Sequence, residues 1–118
     1  MTILIVEDEK NIVLSLKLML EKMGHDVVCA RSGVEALEIS RKISPDLVFL
    51  DIVLPGMDGF LVCQAMRKES DTSKTPIIFI SALSREEDIK KAFNAGASEY
   101  IVKPFTPEKI RETVEKWL

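Results

Sequence analysis

The sequence predicts an α/β fold in which a five-stranded parallel sheet is covered by helices on both faces, forming a three-layer sandwich. Five short apolar runs recur along the 118 residues, and segments with helical periodicity separate them. Several runs are apolar at consecutive positions, which is typical of strands buried on both faces. Strands that alternate with helices need right-handed crossovers, and these make the sheet parallel. We expect one domain over residues 1–118, because each of two smaller cores would be too small to be stable.

The five apolar runs have the length of strands. They are TILIV (2–6), DVVCA (26–30), DLVFL (46–50), PIIFI (76–80) and SEYIV (98–102). None approaches the roughly 18 apolar residues that a membrane-spanning helix needs.

The first helix is predicted by an apolar stripe at helical spacing. The stripe consists of Ile12, Leu16, Met19, Leu20 and Met23. Gly24 follows it at the position where glycine commonly ends a helix. The last helix should begin at Thr106, a capping residue that is followed by Pro107 at the first helical position. Residues 58–68 predict a further helix with a weaker pattern.

Two Ser-x-x-Glu patterns predict the starts of two other helices. In such a capping box, the serine side chain accepts a hydrogen bond from the glutamate backbone, and the glutamate side chain accepts one in return. The pairs are Ser32 with Glu35 and Ser84 with Glu87. The two helices should cover residues 33–43 and 85–95, and Gly96 should end the second.

Composition and charge exclude several classes of protein. The net charge of −3 and the absence of a run of like charges argue against binding to nucleic acid or membranes through bulk electrostatics. The start MTILIVEDEK has no basic segment before its apolar residues, so it predicts no signal peptide, and we expect a cytoplasmic protein. Cys29 and Cys63 have neither metal-ligand nor redox spacing, and we expect both to be reduced residues in or near the core. His25 is the single histidine and is interpreted as a loop residue.

Polar residues directly follow four of the apolar runs. They are Glu7 and Asp8 after the first, Asp51 after the third, Ser81 after the fourth and Lys103 after the fifth. Because the carboxyl ends of parallel strands lie along one edge of the sheet, we expect these side chains to be neighbours. Each one alone has a structural interpretation, and Asp8, for example, is a good helix cap. Together, three acids at one edge would repel one another unless positive charge lies among them.

The charge balance of this edge predicts a magnesium site that admits a phosphoryl group. Hard oxygen ligands without His or Cys favour Mg²⁺ held by carboxylates and water. Three carboxylates, one Mg²⁺ and the Lys103 ammonium add up to zero formal charge, so the loaded site can accept an anion. Asp51 is the candidate nucleophile, since carboxylates form aspartyl phosphates, while Ser81 and Lys103 would contact phosphoryl oxygens. No general base for rapid turnover is evident, which favours a persistent modification and hence signalling.

Four stretches carry a resemblance to a known family. They are ILIVEDE, LVFLDIVLPGMDG, IIFISA and YIVKPF. In this order they resemble the receiver domain of two-component response regulators, the CheY-like family. The resemblance covers the whole chain and implies a flavodoxin-like (βα)5 sandwich with strand order 2-1-3-4-5. It also implies a cis peptide bond between Lys103 and Pro104.

The resemblance implies a site for phosphorylation and for magnesium. Asp51 would be the phosphoacceptor, and a sensor histidine kinase or a histidine phosphotransfer protein would be the donor. Asp8 would bind Mg²⁺ directly, and Glu7 would act through water. The family often has aspartate at the position of Glu7, and the longer acid is a known variant. Asp51 and the backbone carbonyl of Val53 would complete the protein ligands, and Mn²⁺ is expected to substitute for Mg²⁺.

The resemblance also implies how the signal would leave the site. Ser81 and Tyr100 match the switch residues: phosphorylation should draw Ser81 inward and let Tyr100 change rotamer. The fourth helix, fifth strand and fifth helix would then present an altered surface to a downstream target or an output domain, and Trp117 is expected to cap this region or to face the partner. Val53 and Leu83 each lie two positions beyond a site residue. Being apolar, they cannot orient an attacking water, so we expect slow dephosphorylation.

Three alternative functions remain open on the sequence. A flavin-binding protein of this fold class would need a phosphate-cradling loop after its first strand, and the acidic stretch EDEKN repels phosphate unless a metal is bound. A metal-dependent phosphatase using Asp51 would need an acid or a base beside it, and DIVLP supplies none. A receiver-shaped module that is never phosphorylated would not need the complete set of acids, hydroxyl and lysine. We expect no direct contact with nucleic acid or membranes, and no enzyme activity beyond self-catalysed phosphoryl transfer and slow dephosphorylation.

Overall fold

The computed structural model describes all residues from 1 to 118 and contains five strands that alternate with five helices. The strands are β1 (Thr2–Val6), β2 (Asp26–Ala30), β3 (Leu47–Leu50), β4 (Ile77–Ser81) and β5 (Glu99–Val102). The helices are α1 (Lys10–Lys22), α2 (Gly33–Ile43), α3 (Gly59–Lys68), α4 (Glu86–Ala95) and α5 (Pro107–Trp117). The predicted alternation of strands and helices is confirmed.

The five strands form one parallel sheet in the order β2-β1-β3-β4-β5. This is the order that the resemblance implied. The register pairs Val6 with Leu50 and Ser81 with Val102, so the carboxyl ends of neighbouring strands are level with one another. The residues that follow the strands are therefore brought to one edge of the sheet.

The hydrophobic core lies in two layers, one on each face of the sheet. On one face, side chains such as Leu50 and Phe79 pack against α2, α3 and α4. On the other face, side chains such as Phe49 and Ile78 pack against α1 and α5. Residues next to each other in the central strands enter opposite layers, which explains why these strands are apolar at every position.

The two cysteines agree with the expectation from sequence. Both cysteines are free thiols, Cys29 being half-buried and Cys63 fully buried. Burial raises the pKa of the Cys63 thiol to about 11, so this cysteine is a core residue and not a reactive one. No helix combines the length and the apolar character that crossing a membrane requires.

Most of the predicted helix ends are confirmed. Ser32 Oγ accepts a hydrogen bond from the Glu35 N–H at 3.2 Å, and Glu35 Oε1 accepts one from the Arg31 N–H at 2.9 Å, one residue earlier than in the usual capping box. Thr106 caps α5 by accepting from the Lys109 N–H at 3.1 Å. Gly24 and Gly96 follow α1 and α4 with φ angles of 90° and 115°. The weaker helix pattern at 58–68 corresponds to α3, which the Asp58 side chain caps.

The predicted capping box at Ser84 is wrong. Helix α4 begins at Glu86, one residue later than predicted, with Arg85 as its N-cap residue and without a side-chain capping bond. The Arg85 guanidinium contacts Glu87 at 3.2 Å and Asp88 at 3.1 Å, but these ion pairs join side chains and leave the backbone N–H groups of the first turn without a side-chain cap. Asp8 does not cap a helix either, because α1 begins after Glu9 and has no side-chain cap.

Arg67 of α3 forms a second polar cluster at the opposite edge of the sheet. Its guanidinium donates hydrogen bonds to the backbone carbonyls of Gly96 at 2.9 Å, Thr72 at 3.0 Å and Thr75 at 2.7 Å. It thereby fastens the α3–β4 connection to the turn between α4 and β5. No carboxylate forms a salt bridge with Arg67.

Candidate functional site

The polar residues predicted to meet at one edge of the sheet do lie at the carboxyl ends of its strands. Glu7 follows β1, Asp51 follows β3, Ser81 ends β4, and Lys103 follows β5. Glu7, Asp51 and Ser81 are buried, and Lys103 is half-buried. A group of charged side chains is therefore built into the interior of this edge, where unpaired charge would be costly.

Lys103 joins the two buried carboxylates. Its Nζ atom lies 2.7 Å from Glu7 Oε1 and 3.1 Å from Asp51 Oδ2, and both contacts have hydrogen-bond geometry. Strands β1 and β3 are neighbours, whereas Lys103 reaches the pair from β5, two strands away from β3. The Lys103–Pro104 peptide bond is cis, as the resemblance implied.

Burial and pairing act in opposite directions on the ionisation of this group. Burial by itself would lower the pKa of Lys103, but the hydrogen bonds to Glu7 and Asp51 outweigh it, and the pKa is raised above its usual value. Burial raises the pKa of Glu7, and the contact with Lys103 only partly offsets that effect. Lys103 is therefore firmly protonated at neutral pH, which is the state that can bind phosphoryl oxygens.

The chain around Asp51 is folded tightly. Asp51 Oδ1 accepts a hydrogen bond from the Ile52 N–H at 2.7 Å, and the Gly59 N–H donates to the Ile52 carbonyl at 2.8 Å. A Cβ atom at Gly59 would overlap the carbonyl oxygen of Asp51, so only glycine allows the loop from 52 to 58 to return this closely. Gly59 thus helps to fix the backbone that carries the candidate phosphoacceptor.

The other two predicted magnesium ligands lie at the surface. Asp8 and Val53 are exposed. Nowhere do three or more His, Cys, Asp or Glu side chains come close enough together to hold a metal ion. The residues nevertheless fit magnesium, which usually binds one or two carboxylates and retains several waters. Lys103 supplies one positive charge to Glu7 and Asp51, and the adjacent Asp8 adds a third acid, so a hard cation would balance the excess negative charge.

Ser81 and Tyr100 are linked through the backbone of Leu83. Ser81 Oγ accepts a hydrogen bond from the Leu83 N–H at 3.3 Å, and the Tyr100 hydroxyl donates to the Leu83 carbonyl. Phe79, which is paired with Tyr100 across β4 and β5, stacks on its ring with a centroid distance of 6.1 Å. The structure therefore brings the two predicted switch residues to opposite sides of one short segment.

Sequence reasoning missed the part played by Leu83 and by Phe79. The Leu83 contacts use backbone atoms, which every residue type possesses, so no residue signal marks them. The stacking of Phe79 on Tyr100 was open to prediction, because the implied order places β4 beside β5 and both strands carry one aromatic residue near their centre.

Comparisons with known proteins identify the family of the chain. The family model described as the response regulator receiver domain matches residues 3–115. A probable transcriptional regulator, ycf27, from Porphyridium aerugineum is 42% identical over 116 residues, which is 98% of this chain and 47% of that protein. The chain thus spans about half the length of the curated relatives it matches.

Two solved structures extend the comparison to the fold. The chemotaxis protein CheY4 of Vibrio cholerae is 31% identical and superimposes with a TM-score of 0.94, covering 99% of this chain and 98% of that one. The receiver domain of the sensor histidine kinase PA1611 from Pseudomonas aeruginosa is 26% identical, with a TM-score of 0.92 and coverage of 98% and 95%. That structure has a magnesium ion coordinated in its active site cleft.

Proposed function

The chain belongs to the response regulator receiver domain family, and we propose that it is a signalling switch turned on by phosphorylation of Asp51. Proteins of this family receive signals from histidine kinases and pass them to output targets. The observation that carries the proposal is the contact of the Lys103 ammonium with a buried Asp51, 3.1 Å from Nζ to Oδ2, at the edge of the sheet. The phosphoryl donor would be a sensor histidine kinase or a histidine phosphotransfer protein.

In the proposed reaction, one Asp51 carboxylate oxygen forms a bond to phosphorus while the bond from phosphorus to the donor nitrogen breaks. The donor imidazole leaves with that electron pair. Lys103 would contact one phosphoryl oxygen, and the Ser81 hydroxyl would donate a hydrogen bond to another. The buried position of Asp51 and Ser81 supports this assignment, because water competes poorly for these contacts.

We further propose that Mg²⁺ is the cofactor and that Mn²⁺ can substitute for it. Asp8, Asp51 and the backbone carbonyl of Val53 would hold the ion, with Glu7 acting through water. When bound, the ion would neutralise charge on the phosphoryl group and on the acids around it. The excess of acids over Lys103 and the magnesium in the related Pseudomonas receiver support this proposal.

The phosphorylated form should persist, so the chain would be a switch and not an enzyme with turnover. Val53 is 64% exposed and Leu83 is half-buried, and neither can orient a water for attack on the phosphoryl group. Replacing both residues with polar ones should speed phosphate release. Unchanged release in the double variant would contradict this role of Val53 and Leu83.

The signal would leave through the surface formed by α4, β5 and α5. Phosphoryl oxygens should draw Ser81 away from the Leu83 N–H. The segment around Leu83 would then be free to move, and the hydrogen bond from the Tyr100 hydroxyl to the Leu83 carbonyl would change. NMR spectra with and without the phosphoryl analogue BeF₃⁻ test this step. Shifts at Tyr100 and across residues 84–118 are expected, and their absence would contradict the proposed route.

The partners downstream are also part of the proposal. The curated relatives include transcriptional regulators and are about twice as long as this chain. The altered surface would therefore act on an output domain or on a separate target protein.

The decisive experiment is the intact mass after incubation with acetyl phosphate, with and without Mg²⁺. A single Mg²⁺-dependent phosphoryl adduct is expected on the native chain, and Asp51→Asn should abolish it. If the native chain gained no adduct, the interaction module that is never phosphorylated would be the better interpretation.

A further inference from the structure

We propose that Glu7 is a positioning residue for Lys103: it holds the lysine ammonium beside Asp51, and this role outweighs any contact that Glu7 makes with the metal. The inference rests on the proposed function, because it concerns how Lys103 is set for phosphoryl transfer. It follows from the hydrogen bonds that occupy both oxygens of a buried carboxylate.

The Glu7 carboxylate is held rigidly on its backbone side. It is 3% exposed. Its Oε2 atom accepts hydrogen bonds from the Asp8 N–H at 3.1 Å and the Glu9 N–H at 3.3 Å, just before α1 begins. Two amides therefore fix the direction in which Oε1 points.

The other oxygen of Glu7 holds Lys103 more closely than Asp51 does. The distance from Nζ is 2.7 Å to Glu7 Oε1 and 3.1 Å to Asp51 Oδ2. Lysine has a flexible four-carbon stem, so an ammonium that must meet a phosphoryl oxygen benefits from a fixed partner. Glu7 is that partner because it remains a carboxylate after Asp51 has been modified. With two of its three N–H donors directed at carboxylates, Lys103 retains one for an incoming phosphoryl oxygen.

The length of the Glu7 side chain is central to this role. Glu7→Asp keeps the charge but withdraws the carboxylate by one methylene, so we expect it to lose either the contact with Lys103 or the hydrogen bonds from the two amides. If Glu7 were mainly a metal ligand, the same change would act on magnesium affinity. The two roles therefore predict different results for one conservative substitution.

The first test is a double-mutant cycle on the rate of phosphorylation by acetyl phosphate. Glu7→Asp should slow the reaction by about tenfold, as expected for loss of a charge-assisted contact. In the Lys103→Ala background, the same substitution should change the rate by less than about twofold. Glu9→Asp is the matched control, because Glu9 is adjacent and exposed and its side chain caps no helix. An equal loss in both backgrounds would overturn the proposal.

The second test does not depend on phosphorylation. Calorimetric titration with Mg²⁺ should give Glu7→Asp a Kd within about threefold of the native value, and a Kd weakened by about tenfold or more would overturn the proposal. NMR of ¹⁵N-labelled lysine should show a protected Lys103 ammonium in the native chain that is lost in Glu7→Asp and retained in Glu9→Asp. If the native chain could not be phosphorylated, the proposed function would fail, while the lysine signals and the magnesium affinities would still decide the role of Glu7.

Discussion

Two half-buried cations lie at opposite edges of the sheet, and they differ in what holds them. Lys103 is bound by the carboxylates of Glu7 and Asp51. Arg67 is bound by neutral groups, chiefly the backbone carbonyls of Gly96 and Thr75. In the proposed function, phosphorylation would change the charge of one partner of Lys103, Asp51, whereas the backbone carbonyls around Arg67 cannot change theirs. Burial of a cation therefore does not distinguish the two clusters, but the chemistry of its partners does.

The ionisation of the two cations shows the same difference. Burial acts to lower the pKa of both side chains. For Arg67 it prevails and the pKa is lowered, although the neighbouring Cys63 acts in the opposite direction. For Lys103 the two carboxylates prevail and the pKa is raised. Arg67 is thus a partly buried cation without a carboxylate partner, whereas the charge of Lys103 is compensated by two acids.

Of the variants that test this comparison, a variant of Lys103 should have the largest effect, a slower phosphorylation of Asp51. Lys103→Ala should slow phosphorylation by acetyl phosphate by about 10²–10³-fold, the usual loss when one preorganised donor to a developing charge is removed. The variant should also be less stable, because Glu7 and Asp51 are left as unpaired buried acids. Time-resolved intact mass gives the rate, and urea unfolding gives the stability. A rate within about tenfold of the native value would show that Lys103 is mainly structural, like Arg67.

The opposite result is expected at the other edge. Arg67→Ala should lower the free energy of unfolding by about 2–3 kcal/mol, because carbonyls of the α3–β4 connection and the α4–β5 turn lose their donor. The phosphorylation rate of the folded variant should stay within about twofold of the native rate. Arg67→Lys should recover little stability, since one ammonium cannot reproduce the planar fork that reaches several carbonyls. Urea unfolding and intact mass measure both quantities, and a large loss of rate in folded Arg67→Ala would abolish the distinction between the two edges.

The difference between the two clusters also explains which of them the sequence predicted. Asp51 and Lys103 follow apolar runs directly, so strand position alone brings them to one edge. Arg67 lies inside a helix, where an arginine is ordinarily solvent-exposed. Its partners are backbone atoms, which are the same in every residue type and so cannot be predicted from the sequence. The carboxylate edge was therefore predictable, and the carbonyl cluster was not.

At the predicted edge of the sheet, the positions of the residues could be predicted from the sequence better than the contacts between their side chains. Glu7 was predicted at the correct place, but its bond to Lys103 joins β1 to β5 across the sheet and depends on side-chain length. Ser84 shows the same limit locally: the Ser-x-x-Glu pattern is present, yet Arg85 is the N-cap residue of α4, and its side chain pairs with Glu87 and Asp88. Patterns select among local arrangements, and tertiary competition between side chains decides which one forms.

A pair of glycines offers a smaller test, because one lies in each cluster. A Cβ atom at Gly59 would overlap the backbone of Asp51. Gly96 has a left-handed φ of 115°, and a Cβ atom there would lie 2.7 Å from the Arg67 side chain. Each change to alanine should lower the free energy of unfolding by about 1–2 kcal/mol, from steric strain at Gly59 and from the left-handed backbone at Gly96. Only Gly59→Ala should also slow phosphorylation, since it displaces the backbone that carries the acceptor. Urea unfolding and phosphorylation rates of the two variants are the measurements. If Gly96→Ala also slowed phosphorylation, the two edges of the sheet would be coupled.

The smallest expected effect concerns Glu99, a carboxylate paired with cations far from Asp51. It accepts from the Trp117 indole at 2.9 Å and lies 3.3 Å from Lys109 Nζ. Burial acts to raise the pKa of Glu99, but the contacts with Trp117 and Lys109 outweigh it, and the pKa is lowered. A lowered pKa stabilises the folded protein at pH values above the usual pKa of glutamate. This contribution disappears as the pH falls through the pKa of Glu99 in the folded state.

Glu99→Gln should therefore cost about 0.5–1 kcal/mol of stability near pH 7, as for a partly exposed ion pair. The cost should vanish in acid, below the ordinary glutamate range, because both the native chain and the variant are then neutral at this position. Urea unfolding as a function of pH measures the difference, with Glu115→Gln at an exposed position of α5 as the control. A cost that persists in acid would mean that Glu99 acts through packing and neutral hydrogen bonds. Glu99 would then resemble Arg67, which is held by neutral hydrogen-bond partners, more closely than it resembles Lys103. An ion pair between a carboxylate and a cation would then not be enough to identify a cluster whose stability depends on charge.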